Sequence, residues 1–306
     1  MKKIVVTGAT SMIGIAVVEA CLKHDVELIY AVVRPNSANL SRIPKDDRIR
    51  VIECDMDQYA TLEKLIDEKC DTFYHIAWSV TGRKRNSDIY GQVKNIQFTL
   101  DALHAASAIG CTKFIGAGSQ AEYGKLDVEK IGIYSPVNPV QPYGIAKYAA
   151  GKLVVEEAKL FGISCIWVRI FSIYGKYDKP STMISSSIKK MKAGEHVSFT
   201  AGEQMWDYLY SEDAGEAFYL IGEKVDENKV YCLGSGQAKK LRWFIEIMRD
   251  VVNPTLTLGL GEIPYTEETV MNLCADISEL QTDTGWCPKT PFEDGIRMLK
   301  KAYSEY

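Results

Sequence analysis

The chain has 306 residues, with 36 Lys and Arg against 40 Asp and Glu, 46% hydrophobic residues, 25% charged residues and a formal net charge of −4. This length allows one large domain or two moderate ones, and the composition excludes a disordered or collagen-like chain. The mild acidity lacks the clustered positive field that nucleic-acid binding needs, and no apolar run approaches the ~20 residues of a membrane span.

The apolar start KIVVT (3–7) reads as a buried strand, because Thr7, Gly8 and Thr10 break it too early for a signal peptide. A helix follows over 12–23, then strands over 27–33 and 49–53, a helical pattern over 58–69 and a strand over 71–77. Next come an amphipathic helix over 93–109, a strand over 113–118, a helix over 143–161 and a strand over 164–170. Short apolar strands alternating with helices predict βαβ units, hence an α/β fold with a doubly wound parallel sheet of the Rossmann type. The alternation loosens after Phe171: a loop over 174–181, a helix over 182–193 with the solvated run KKMK, a strand-like VSFTAG (197–202), a helix over 212–222 and a strand over 230–234. Helices over 240–252 and 292–304 close the chain. The expected organisation is a dinucleotide domain over 1–170, to which 211–235 returns, and a smaller C-terminal α/β substrate lobe from 171–210 and 236–306. The eight cysteines form no CxxC pair, so a reducing, cytoplasmic setting without a disulfide framework or metal site is expected.

TGATSMIG (7–14) links the first strand to the first helix, the context a dinucleotide fingerprint requires. Gly8 and Gly14 let the backbone approach a pyrophosphate, while Thr10, Ser11, Met12 and Ile13 bring N–H groups to the helix start. After the second strand come Arg34, Pro35, Asn36 and Ser37, with no acidic residue to receive a ribose 2′-hydroxyl. Arg34 suits the 2′-phosphate instead, so NADP(H) is favoured and NAD(H) is the alternative. Asp55 and Met56 suit the adenine region; Ala77 and Trp78, after the fourth strand, lie beside the cofactor.

Tyr143 and Lys147 stand at i and i+4, on one helical face. A phenol with a pKa near ~10 is a poor neutral-pH catalyst, and an adjacent ammonium moves it toward working pH. Ser119, at the end of the fifth strand, faces the ligand crevice and can bond a substrate oxygen together with Tyr143.

These features resemble the extended short-chain dehydrogenase/reductase superfamily, and within it the NAD-dependent epimerase/dehydratase family. The resemblance covers nearly the whole chain, through TGATSMIG (7–14), FYHIAWS (73–79), VKNIQFTLDAL (93–103), GSQAEYG (118–124), PYGIAK (142–147), RIFSIYG (169–175), GEQMWDYLYSED (202–213) and TDTGWCPKTPFEDGI (282–296). It implies a catalytic triad of Ser119, Tyr143 and Lys147, a network role for Asn95, and passage of the nicotinamide carboxamide by 170–173, including Ile170 and Ser172. It also implies a homodimer through helices 93–109 and 143–161, although Ile96, Leu100 and Leu103 equally suit a stripe facing the sheet.

Three departures refine the reaction. The dehydratases' Thr-Asp-Glu is Ser119-Gln120-Ala121 here, which removes the acid and base for expelling water. The family's RxFNxYG carries Ser172 in place of Asn, and its Arg-Asp-Phe is Trp206-Asp207-Tyr208; both positions commonly lie near the nucleotide diphosphate. SQAEYG with QMWDYLY looks most like nucleotide-sugar 4-ketoreductases of the CDP-abequose synthase type. The expectation is reduction of a 4-keto-6-deoxy or dideoxy nucleotide sugar at C4. Ser79, Ser119, Gln120, Ser172, Met183, Trp206 and Tyr208 are candidates for lining the substrate pocket. The alternatives are a nucleotide-sugar 4-epimerase that retains NAD and, remotely, a cofactor-binding regulator without turnover.

Overall fold

The computed structural model describes residues 1–82 and 84–303. The first half runs β1 (Lys3–Thr7), α1 (Met12–Leu22), β2 (Leu28–Val33), β3 (Ile49–Glu53), β4 (Thr72–His75), α2 (Ile89–Ile109), β5 (Lys113–Ser119), α3 (Pro142–Phe161) and β6 (Ser164–Ile170). Then come β7 (Ser172–Tyr174), α4 (Met183–Lys192), β8 (Ser198–Phe199), β9 (Met205–Trp206), β10 (Tyr208–Tyr210), α5 (Ser211–Lys224) and β11 (Lys229–Leu233). The chain closes with β12 (Lys239–Lys240), α6 (Leu241–Val252), β13 (Gly259–Leu260), β14 (Asn272–Leu273), α7 (Ser278–Thr284) and α8 (Phe292–Ala302).

Seven parallel strands form one sheet in the order β11-β6-β5-β4-β1-β2-β3. The central strands are apolar throughout because helices cover both faces. On one face α1 packs on α5, with Val17, Val18, Phe218 and Ile221 fully buried. On the other α2 packs on α3, with Leu103, Ala106, Val154 and Ala158 fully buried. A buried side chain of Val, Leu or Phe size contributes ~1.5–3 kcal/mol. α2 and α3 stop at Gly110 and Gly162, whose φ of 84° and 65° suits a residue without Cβ. A third cluster joins Ile188, Met191, Phe244, Ile245, Met248 and Ile296 from α4, α6 and α8. Asp207, fully buried, stitches this region by accepting from the N–H groups of Ser235, Gly236 and Ala275.

Several expected elements change. The helix expected over 58–69 is a 3-10 helix over Met56–Lys64. Its buried residues Met56, Tyr59 and Leu62 recur every third position, the spacing that shares one face of a 3-10 helix. VSFTAG pairs only through Ser198–Phe199, against Gly259–Leu260, and turns away at Gly202 with φ 73°. In KKMK the lysines are exposed, but Met191 is fully buried. The last helix ends at Ala302; residue 304 of the expected span lies outside the described residues. Leu103 faces the core, while Ile96 and Leu100 are half-buried.

Candidate active site

Strand order reverses between β1 and β4, which opens a crevice at their C-terminal ends. Gly8 leaves β1 with φ 68°, and a Cβ there would lie 2.8 Å from the Ala77 nitrogen. A Cβ on Gly14 would lie 2.2 Å from the Gly8 carbonyl oxygen, so α1 seats against the turn only because this residue is glycine. Ser11 caps α1, its Oγ accepting from the Gly14 N–H at 3.0 Å. The Met12 and Ile13 N–H groups meet no acceptor among the described residues. Two free donors at a helix start, with no acidic residue in the first turn, fit a pyrophosphate. Thr10 carries a partner the sequence did not suggest: Arg42 Nη1 donates to its carbonyl at 3.3 Å.

Beyond β2, Arg34 is exposed and pairs with no carboxylate among the described residues. Asn36 adopts φ 55°, and Ser37 Oγ accepts from the Asn39 N–H at 3.3 Å. Asp55 caps the 3-10 helix through the Met56 N–H at 2.7 Å, and Met56 is buried beneath it. The Ala77 N–H, after β4, donates to Thr7 Oγ1 at 3.4 Å.

Ser119, Tyr143 and Lys147 converge at the ends of β5 and α3. Burial pushes the Tyr143 phenol above its usual range, against the pull of a hydrogen bond from Ser119 and of the Arg85 charge. The Arg85 guanidinium carbon lies 5.5 Å from the centre of the Tyr143 ring. Lys147 is 3% exposed; burial lowers its pKa to about 7, while Glu122 opposes the fall. Its Nζ donates to the Ala117 carbonyl at 2.5 Å and lies 3.6 Å from the Trp78 ring centre. Trp78 also meets Tyr143 edge-on, at 6.2 Å between centroids. It thus stands against both members of the expected proton-transfer pair.

Two buried amides of α2 shape the adjoining loop. Asn95 accepts from the Ser79 N–H and Oγ at 2.8 and 2.9 Å and donates to the Ser79 carbonyl. Gln92 accepts from Trp78 Nε1 at 3.0 Å and donates to the carbonyls of Val80 and Arg85. Asn95 was legible in the sequence; Gln92, which holds Trp78 and Arg85 in place, was not.

Beneath the triad lies a buried polar layer that sequence reading missed. Glu122 pairs with Arg169 at 2.8 Å, also accepts from Trp167 Nε1 at 2.9 Å, and receives the Ser119 N–H at 2.8 Å. The indole of Trp167 fills a slot that exists because Gly116, Gly118 and Gly151 lack side chains: their Cβ atoms would lie 2.4–2.6 Å from its ring. His75, fully buried, contacts Thr7 Oγ1 at 3.1 Å and Thr99 Oγ1 at 3.4 Å. Burial, then repulsion from Lys147, lowers its pKa to about 3, so it is neutral.

The substrate-side candidates are gathered less tightly. Trp206 Nε1 donates to Ser172 Oγ at 2.9 Å, so the two departures from the family pattern bond each other. Met183 lines a cavity of about 230 Å³ with Ser187, Phe199, Gln204 and Leu241. Tyr208 packs instead against Tyr174, Phe244 and Phe292. Gln120 and Ile170 are half-buried at the ends of β5 and β6.

The sequence profile of the NAD dependent epimerase/dehydratase family matches residues 4–234. The chain belongs to this family. It is therefore an enzyme of the extended short-chain dehydrogenase/reductase type, an oxidoreductase built on a Rossmann fold. A trifunctional UDP-glucose 4,6-dehydratase/UDP-4-keto-6-deoxy-D-glucose 3,5-epimerase/UDP-4-keto-L-rhamnose-reductase of Arabidopsis thaliana is 25% identical; the match covers 99% of this chain but 47% of that protein. The fold is shared with the UDP-glucose 4-epimerase of Thermotoga maritima, solved with UDP-glucose, at TM-score 0.87 and 20% identity over 99% of both chains. It is also shared with RMD from Pseudomonas aeruginosa, solved with NADPH, at TM-score 0.83 and 21% identity over 100% of both chains.

Proposed function

We propose that this family member is a nucleotide-sugar 4-ketoreductase of the CDP-abequose synthase type, using NADP(H) to reduce a 4-keto-6-deoxy or dideoxy sugar at C4. The observation that carries the reading is the state of the carboxylate nearest the triad. Glu122 is engaged on both oxygens by Ser119, Trp167 and Arg169, and Ser119-Gln120-Ala121 offers no other. Elimination of water requires a free acid and base at that place; reduction requires only a proton donor.

The cofactor, when bound, supplies the hydride. The Met12 and Ile13 N–H groups would hold its pyrophosphate and Arg34 its 2′-phosphate. Tyr143 gives its proton to the oxygen that becomes the alcohol, with the Ser119 hydroxyl as second donor. Lys147 lowers the cost of the resulting phenolate. Most of the rate gain comes from donors aimed at charge that develops in the transition state. Residues 171–210 and 236–306 are proposed as the substrate lobe, with Met183 lining a cavity within it. The names of the similar chains support a second reading, an NAD-retaining 4-epimerase, which would use the same three residues.

The deciding experiment denatures the purified protein, identifies any released dinucleotide, and then follows NADPH and NADH consumption with dTDP-, UDP- and CDP-4-keto-6-deoxyhexoses. Stoichiometric NADPH consumption supports the reductase. Retained NAD with no net consumption during turnover overturns it in favour of the epimerase. Tyr143→Phe is expected to bind the dinucleotide and lose ~100-fold or more in turnover; undiminished turnover would remove Tyr143 from the mechanism. A homodimer is also proposed, supported by exposed apolar side chains on α2 and α3, among them Tyr90, Val93, Leu153 and Leu160. Sedimentation at monomer mass at micromolar concentration would refute it.

A further inference from the structure

We infer that Glu122 is a positioning residue of the Ser119–Tyr143–Lys147 site: its buried carboxylate fixes the Ser119 backbone and supplies a counter-charge that favours the ammonium form of Lys147. The inference rests on the reading of Tyr143 and Lys147 as the proton-transfer pair.

Three observations carry it. The carboxylate cannot turn: Oε1 accepts from the Ser119 N–H and from Trp167 Nε1, at 2.8 and 2.9 Å, and Oε2 accepts from Arg169 Nε at 2.8 Å. Its neighbours are themselves held. Arg169 Nη1 donates to Tyr123 Oη at 2.9 Å, Tyr123 donates to the Gly132 carbonyl at 2.8 Å, and the Gly116, Gly118 and Gly151 slot orients Trp167. Moving Glu122 therefore moves the backbone that carries Ser119.

The second observation is that Lys147 has no carboxylate in direct contact among the described residues. Its Nζ meets the Ala117 carbonyl of β5 and the Trp78 ring of the β4–α2 loop. From β4 it faces His75, which is neutral; from its own helix, Tyr143; from β6, Trp167 at 5.9 Å. The same Trp167 indole donates to Glu122 Oε1 at 2.9 Å, so one ring bridges the ammonium and this carboxylate, whose charge opposes the fall of the Lys147 pKa. Without that charge, burial drives the ammonium further toward the neutral amine, which cannot stabilise a phenolate.

The third is the charge count beneath the site. Lys147 and Arg169 are cations, Glu122 is an anion, and all three are buried. While Lys147 holds its proton the set carries one net positive charge, and ionisation of Tyr143 offsets it. Replacing a buried ion pair by apolar side chains is often neutral or stabilising, so packing alone gives little reason to keep one here. A layer whose net positive charge offsets the phenolate of Tyr143 has a functional reason.

The test uses the full chain with ¹³Cε-labelled lysine, the Lys147 resonance being assigned by its loss in Lys147→Met. In Glu122→Gln the Lys147 titration midpoint falls by about 1 pH unit or more. Arg169→Lys loosens the same network but keeps the carboxylate, so its midpoint stays with the wild type while its thermal stability drops. Glu122→Asp restores the midpoint. If Glu122→Gln does not fold, Glu122→Gln/Arg169→Met removes the buried Glu122–Arg169 ion pair as a whole and leaves no unpaired Arg169, and its Lys147 midpoint also falls. NADP⁺ calorimetry at about pH 6 and about pH 8 adds a second readout, with Glu122→Gln losing affinity chiefly at the higher pH. An unchanged Lys147 midpoint in a folded variant lacking the Glu122 charge overturns the inference. Undiminished turnover in Tyr143→Phe would instead remove the reading of the site, so the two failures are separable.

Discussion

Replacing Lys147 by methionine should stabilise the protein at low pH and cease to do so at high pH. The Lys147 pKa falls from 10.5 in water to about 7 in the fold, chiefly through burial. At ~1.4 kcal/mol per pH unit, that fall is ~5 kcal/mol of cost when the ammonium is buried. The sign follows from proton counting. Well below pH 7 both folded and unfolded chains hold the proton, and the whole cost weighs on the fold. Between pH ~7 and ~10.5 the unfolded chain keeps a proton the folded chain has released, so wild-type stability rises with pH. Methionine removes the cost but orphans the Ala117 carbonyl that Nζ now satisfies, a loss of ~1–3 kcal/mol. The variant should be ~2–4 kcal/mol more stable than wild type near pH ~6, with the advantage gone near pH ~9. Urea unfolding of both proteins across that range isolates the term, because titrating groups that do not interact with Lys147 cancel in the difference. A stability difference that does not change with pH would refute the reasoning, since Lys147 would then hold an ordinary pKa.

Gly14→Ala places a Cβ 2.2 Å from the Gly8 carbonyl; a loss of ~1–3 kcal/mol from overpacking and of dinucleotide binding is expected by denaturation and calorimetry, and wild-type values would contradict the seating of α1. Arg34→Glu should invert the NADPH:NADH preference by ~10-fold or more, read from affinity; an unaltered ratio would make Arg34 a surface residue and move attention to Arg42. Trp206→Arg frees Ser172 from its present partner and should tighten UDP binding by ~10-fold at low salt, with the gain lost at high salt; tight UDP binding by the wild type would show that the diphosphate is held elsewhere.

The repeating βαβ pattern was legible because buried parallel strands are short apolar runs and their helices end at glycines such as Gly110 and Gly162. The phosphate turn and Tyr143–Lys147 were legible because their chemistry is local: a turn, and one helical face. The layer beneath was hidden because its contacts are not local. Glu122 and Arg169 meet across 47 positions of sequence, and each reads as an ordinary charged residue in a motif. A signal existed in Gly116, Gly118 and Gly151, three glycines in segments with strong strand or helix patterns, but it becomes meaningful only when Trp167 is seen between them. The helical pattern expected over 58–69 did not specify the helix type, because the i, i+3 spacing of Met56, Tyr59 and Leu62 is common to α- and 3-10 helices. The pairing of Ser172 with Trp206 was beyond reach, since nothing in either segment specifies that β7 and β9 present those side chains to each other.

Buried ionisable groups and left-handed backbone at residues with a Cβ both cost free energy, so a fold without function has no reason to gather them in one place. Here they gather. Asn36, Val80 and Tyr177, the three non-glycine residues with positive φ among those described, each lie in a loop leaving the C-terminal end of a strand: β2, β4 and β7. Lys147, Glu122, Arg169 and His75 are buried around the C-terminal halves of β4, β5 and β6, and Gln92 and Asn95 are buried where α2 faces them. The opposite edge of the sheet shows no comparable concentration among the described residues; its charged side chains, such as Lys2, Lys3, Glu68 and Asp226, pair at the surface. Unfavourable terms confined to the edge where the strand order reverses are what a catalytic crevice requires. The depressed lysine at their centre carries both effects: the burial that costs stability at low pH also lowers the pH at which the ammonium beside Tyr143 is lost.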